Sequence, residues 1–188
     1  MGIHRGDAVK NKAVFLDRDG VLNQAVVRNG KPHPPANAKE LALAPDANAA
    51  LLELKAQGFL LLVVTNQPDV AKGITTQSAV EEINGKLSSE LPLDDVFVCY
   101  HQDSDQCDCR KPKPGMILAA ARKHIVNLSE SFMVGDRWRD VEAGQNARCR
   151  TIFIDGGYEE RQPARPPDAT VHSLKEAANW IFWQAERE

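Results

Sequence analysis

The stretch Ala13-Val14-Phe15-Leu16-Asp17-Arg18-Asp19-Gly20 decides how this chain is read. Its unbroken apolar run predicts a buried β-strand over residues 13–17, because a strand with one solvated face alternates apolar and polar residues instead. The run ends in two carboxylates one residue apart, followed by a glycine. Like charges that close raise each other's protonation cost unless a cation or a shared proton relieves them, and such strain collects where chemistry needs it. A divalent metal and phosphoryl transfer to a carboxylate fit this arrangement. An acidic pair in a solvated turn is the alternative for Asp-x-Asp-Gly taken alone. A calcium loop would need further oxygen ligands and a closing Glu, whereas Val21-Leu22-Asn23 follow here.

Working outward, similar strands are expected at residues 60–66, 96–100, 132–136 and 151–155, with a weaker one at 169–172. Helical patterns lie between them, over 45–57, 76–91, 114–124 and 140–146. Leu174, Ala177, Ala178, Ile181 and Phe182 mark a terminal amphipathic helix. The Pro-rich stretches 31–35 and 163–167 read as surface loops. Strand and helix in regular alternation predict an α/β fold, a Rossmann-like parallel sheet with helices on both faces. In such sheets the active site lies beyond the C-terminal ends of the strands.

The chain has 188 residues, 43% hydrophobic and 26% charged, so a single domain over 1–188 is expected. A net charge of −3 argues against a general nucleic-acid binder. The longest apolar run, 59–64, suits a strand and not a membrane span. Residues 1–12 are polar and carry no secretory apolar segment. The expectation is a cytoplasmic monomer without membrane or nucleic-acid partners.

The strand ends carry a consistent chemistry. The first delivers Asp17 and Asp19, and the second Thr65-Asn66-Gln67. The third is followed by Arg110-Lys111-Pro112, and the fourth delivers Asp136 with Asp140 one helical turn later. Singly, each has an ordinary reading as a cap, a turn or a solvated pair. Together, on one rim of a parallel sheet, they do not. A second cluster, Cys99-x-His101-x₅-Cys107-x-Cys109, has the ligand types and spacing of a closed tetrahedral zinc site in the loop 99–109. A disulfide is the alternative, disfavoured in the cytoplasm. Cys149 stands apart as a core residue.

These motifs resemble the haloacid dehalogenase superfamily of phosphatases. The resemblance runs from about Ala13 to Asp155 and rests on Asp17-Arg18-Asp19-Gly20-Val21, Thr65, the Lys of Cys109-Arg110-Lys111-Pro112, and Gly135-Asp136-Arg137-Trp138-Arg139-Asp140. It implies that Asp17 attacks phosphorus to give an aspartyl-phosphate and that Asp19 serves as general acid, then base. It further implies that Thr65 and Lys111 bind the phosphoryl oxygens. A Mg²⁺ would be held by Asp17, the Asp19 carbonyl and Asp136, with Asp140 as a more distant anchor or water-mediated ligand. Lys113 matches Lys111 in chemistry; the motif favours Lys111.

The zinc loop narrows the resemblance to the branch that contains the heptose bisphosphate phosphatases and the histidinol-phosphatase domains. That branch implies a small phosphorylated substrate, with Asn66, Gln67, Arg110 and Arg137 as candidates for holding the sugar or a second phosphate. Too few residues separate positions 17 and 45, or 66 and 76, to build a large cap domain, so specificity falls to the loops. A receiver-like phospho-accepting module is the alternative from another class. It needs neither Asp19 nor the zinc loop.

Overall fold

The computed structural model describes residues 10–28, 31–185 and 187; positions 1–9 of the N-terminal reading lie outside these. In chain order the elements are β1 (Ala13–Leu16), the short strands β2 (Val26–Arg28) and β3 (Lys31–His33), α1 (Ala47–Ala56), β4 (Leu60–Asn66), α2 (Gln77–Glu90) and β5 (Asp95–Cys99). They continue with α3 (Gly115–His124), β6 (Phe132–Gly135), α4 (Trp138–Ala147), β7 (Arg150–Ile154), β8 (Ala169–Val171) and α5 (Leu174–Ala185). Six strands form one sheet in the order β5-β4-β1-β6-β7-β8, every pair parallel. Among these strands β1 comes first in the chain yet lies inside the sheet. The chain winds outward from it on one side, then returns to its other side at β6. A ligand crevice opens where the winding reverses.

The alternation along each strand sorts the core into two layers. Val14 and Leu16 face one way with Leu61, Val63, Phe132 and Val134, under α1, α2 and α5. Ala13 and Phe15 face the other way with Leu62, Val64 and Met133, under α3 and α4. All four residues of β1 are fully buried, as a strand covered on both faces requires. Close packing of α4 on the sheet depends on Gly144, where a Cβ would collide with Met133 and Thr151.

One expectation is corrected. The stretch 31–35, read as loop, contributes β3, which pairs antiparallel with β2 outside the main sheet. Three residues per strand and a proline, which cannot donate to a ladder, leave no periodic signal to detect. Among the described residues this hairpin is the element added between β1 and α1, and no large cap stands over the strand ends. No helix of the described residues is long and apolar enough to cross a membrane.

Candidate active site

The strand ends meet in a cleft of about 650 Å³. Asp17, Asp19, Lys111 and Asp140 line one part of it, and Pro32, Pro34 and Ile74 form an apolar wall on the hairpin side. Asp17 leaves β1 tied to β6, its N–H donating to the Val134 carbonyl at 3.0 Å. The chain then turns tightly over 18–23, with the Leu22 and Asn23 N–H groups donating to the Arg18 carbonyl. Gly20 sits at φ +87°, and a Cβ there would overlap the Asp136 carboxylate, so both the turn and the approach of β6 require glycine.

Lys111 is 2% exposed and bridges two acids, its Nζ 2.8 Å from Asp17 Oδ1 and 2.6 Å from Asp140 Oδ1. Burial pulls its pKa down, but Asp140 and Asp17 outweigh that and hold it above the ordinary value. Lys113 instead is exposed and donates to the Gln106 and Cys107 carbonyls, bracing the loop. Of the two lysines, it is Lys111 that lies beside Asp17 and Asp140. The backbone of Lys111 is pinned as well. Asn66 Nδ2 donates to its carbonyl and its N–H donates to Asn66 Oδ1, both at 3.1 Å.

Asp136 lies at the end of β6, 1% exposed, and both its carboxylate oxygens are buried without an aligned hydrogen-bond donor, the nearby Tyr158 hydroxyl included. Burial, then the charges of Asp17 and Asp140, push its carboxyl well above the usual range. Burial also raises Asp17 to about 6; Lys111 opposes this, and Asp140 and Asp19 add to it. Ligand oxygens of Asp17, Asp136 and Asp140 all lie within 4.8 Å of one another. Three buried acids against one lysine leave an excess of negative charge that a hard divalent cation suits. Asp140 has both oxygens engaged, Oδ1 by Lys111 and Oδ2 by the Arg137 N–H at 3.0 Å, where it caps α4. Neither oxygen of Asp136 has an aligned donor, and Asp17 Oδ1 meets the Lys111 ammonium only as an ion pair.

Asp19 is caged. It accepts from Arg18 Nε (3.2 Å) and Nη2 (2.9 Å), from Asn23 Nδ2 (3.1 Å) and from Gln67 Nε2 (2.9 Å). Gln67 Nε2 also donates to Thr65 Oγ1 at 2.9 Å. Arg18 is fully buried, and its Nη1 donates to Asn84 on α2 at 2.9 Å. Asn66 and Gln67, expected to hold substrate, line the cleft, and their amide N–H groups also donate within the protein. Arg137 lines the cleft but pairs with both carboxylate oxygens of Glu160. Arg110 lines the cleft too. The residues that sequence reading missed are Arg18, Asn23, Asn84 and Arg139. Arg139 stood in plain view in Gly135-Asp136-Arg137-Trp138-Arg139-Asp140, but the side of the turn it occupies depends on where α4 begins.

The second cluster also assembles. Cys99 Sγ is 3.6 Å from His101 Nδ1 and 3.7 Å from Cys107 Sγ; Cys109 Sγ is 3.0, 3.4 and 3.3 Å from Cys99, Cys107 and His101. Tetrahedral zinc with Zn–S near 2.3 Å has ligand–ligand edges of about 3.7 Å. The longer separations match this and the shorter ones form a slightly contracted set. All four cysteines are free thiols, and Cys149 packs in the core.

Comparison with known proteins supports the same chemistry. Residues 108–177 match the HAD-hydrolase-like family model. The D-glycero-β-D-manno-heptose-1,7-bisphosphate 7-phosphatase of Helicobacter pylori strain J99 is 32% identical, over 91% of this chain and 97% of its own. The enzyme of that name from Escherichia coli K12 is 35% identical, over 90% and 87%. The chain belongs to the heptose bisphosphate phosphatase family of haloacid dehalogenase-like hydrolases. A heptose bisphosphate phosphatase from B. bronchiseptica, solved with magnesium and phosphate, superposes with a TM-score of 0.75 at 27% identity, over 92% of this chain and 99% of that one.

Proposed function

We propose that this protein removes the 7-phosphate of D-glycero-β-D-manno-heptose 1,7-bisphosphate in a Mg²⁺-dependent reaction, through an aspartyl-phosphate on Asp17. The carrying observation is the buried group Asp17–Lys111–Asp140 beside Asp136, whose oxygens have no aligned hydrogen-bond donor. The names of the relatives supply the substrate.

Asp17 attacks phosphorus as the bond to the C7 oxygen breaks, and Asp19 gives that oxygen its proton. Asp19 then takes a proton from water as the water attacks the aspartyl-phosphate, releasing inorganic phosphate and restoring Asp17. Lys111 and Thr65 stabilise the transferring oxygens, where negative charge gathers. Asp17, Asp136 and the Asp19 carbonyl would hold Mg²⁺, which supplies charge to let an anionic nucleophile approach an anionic phosphate. Asp140 anchors Lys111, since both its oxygens are taken. Asn66 and Gln67 serve the substrate by positioning Lys111, Thr65 and Asp19. Cys99, His101, Cys107 and Cys109 would hold a structural zinc that fixes the loop presenting Arg110 and Lys111.

Phosphate release from the heptose 1,7-bisphosphate should require Mg²⁺ and leave heptose 1-phosphate. Faster turnover of histidinol phosphate in the same assay would overturn the substrate assignment. Asp136→Asn tests the metal site separately. Mg²⁺ at about a hundred times its dissociation constant should stabilise the wild type by ~2.7 kcal/mol and the variant hardly at all. Equal melting shifts in both proteins would remove Asp136 from the ligand set.

A further inference from the structure

At the lip of the cleft two arginines converge on one acid. Asp103 Oδ1 accepts from Arg110 Nε at 2.7 Å and from Arg139 Nη1 at 3.1 Å, and its Oδ2 accepts from Arg139 Nη2 at 3.3 Å. Asp103 opens the short 3-10 turn Asp103–Asp105 within the zinc-type loop and is 66% exposed, while Arg110 and Arg139 are 13% and 26% exposed and both line the cleft. The guanidinium groups are further fixed from behind. Arg110 Nη1 donates to the His101 carbonyl at 3.3 Å, Arg139 Nη1 reaches the Lys111 carbonyl at 3.4 Å, and Arg139 stacks on Trp138 with 4.5 Å to the ring centroid.

Two held guanidiniums around an exposed carboxylate make an anion clamp filled by the protein's own acid. A phosphate suits the clamp better than a carboxylate, because it offers more acceptor oxygens and more charge to planar donor forks. The exchange is easy, since exposed ion pairs are individually weak. The position is right for a bisphosphate. Lys111 touches Arg139 through its carbonyl and Asp17 through its ammonium, so the clamp and the nucleophile stand one lysine apart. Arg137, the other arginine on this turn, is occupied by Glu160.

We propose that Arg139 is a specificity residue that, with Arg110, grips the non-reacting phosphate, and that Asp103 fills this clamp in the free enzyme and is displaced when a bisphosphate binds. The proposal rests on the phosphatase reading above and adds an internal competitor to it. Its consequence is a pair of opposite effects. Arg139→Gln should raise KM for heptose 1,7-bisphosphate by about tenfold or more, the equivalent of ~1.4 kcal/mol. Asp103→Asn, which removes the charge of the competitor, should lower that KM severalfold. Neither shift should appear in KM for heptose 7-phosphate, which has nothing to place in the clamp.

The measurement is steady-state kinetics of the Mg²⁺- and Zn²⁺-loaded full chain on both substrates, repeated with other sugar bisphosphates and their monophosphates. Opposite shifts confined to bisphosphates support the clamp, and misfolding cannot produce the gain in Asp103→Asn. Equal shifts on monophosphates and bisphosphates, or KM rising in both variants, would overturn it. If heptose substrates are not turned over but another bisphosphate shows the opposed shifts, the heptose reading fails and the clamp stands. If no bisphosphate is preferred over its monophosphate, the clamp fails whatever the sugar.

Discussion

Asp17→Asn is expected to reduce turnover at least ~10⁴-fold while making the Mg²⁺-free protein more stable at neutral pH. The loss follows because an amide cannot form the acyl-phosphate, and nothing else at the end of β1 is placed to substitute. Asp19 is directed into Arg18, Asn23 and Gln67. The gain follows from linkage. Burial lifts the Asp17 carboxyl from 3.8 to about 6 in the folded protein. The fold therefore favours the protonated acid, and the contribution of Asp17 to stability is fully present below pH 3.8 and is lost as pH rises through about 6. Above that window the ionised group costs about 3 kcal/mol, which the neutral amide avoids. Thermal melts in Mg²⁺-free buffer should thus show the variant melting several degrees higher at pH 7.5 and alike below pH 4. A variant that is less stable at pH 7.5, or that retains multiple turnover, would refute the assignment of Asp17.

Loss of the Cys/His cluster should have the second-largest effect. The segment from Cys99 to Cys109 contains few apolar residues and no long element, so beyond the polar ties of Asp103 and Lys113 a metal would be its main support. Structural zinc contributes on the order of 10 kcal/mol at such sites. The loop carries Arg110 and leads directly into Lys111, so its disorder would reach the nucleophile's partner. Cys109→Ser, or removal of zinc with a tight chelator, should cut kcat/KM by ~10² or more. It should also expose amides 100–113 to hydrogen exchange while β1, β4 and β6 stay protected. Restored zinc should reverse both in the chelated wild type. Purified protein free of zinc with full activity would show that the four residues are an apolar and hydrogen-bonded cluster only.

Much of this architecture was legible because it rests on local patterns. The continuous apolar runs gave β1 and β4, and the three- and four-residue spacing of Val80, Ile83 and Leu87 gave α2. Asp17, Lys111 and Asp136 could be expected on one rim because parallel strands deliver their ends there, while the preference for Lys111 over Lys113 rested on the motif. The exceptions are just as physical. The hairpin β2–β3 is too short and too proline-bearing to announce itself. Asn66 and Gln67 look in sequence like groups presented to a ligand, and only the fold shows that their amides are bonded to Lys111 and Asp19. Arg137 and Arg139 are alike as residue types, yet one meets Glu160 and the other Asp103, contacts made across 23 and 36 residues.

The buried Arg18 has a mechanical consequence. It joins Asp19 to Asn84 in the middle of α2, so the carboxylate proposed to transfer the proton is braced by the same helix that covers the sheet. Where a mobile lid assembles a catalytic site, the acid can be in register only after closure. Here the fold itself holds Asp19, without a lid, against Arg18, Asn23 and Gln67. In the clamp proposed above, the one group that has to move aside is a single aspartate held by two arginines.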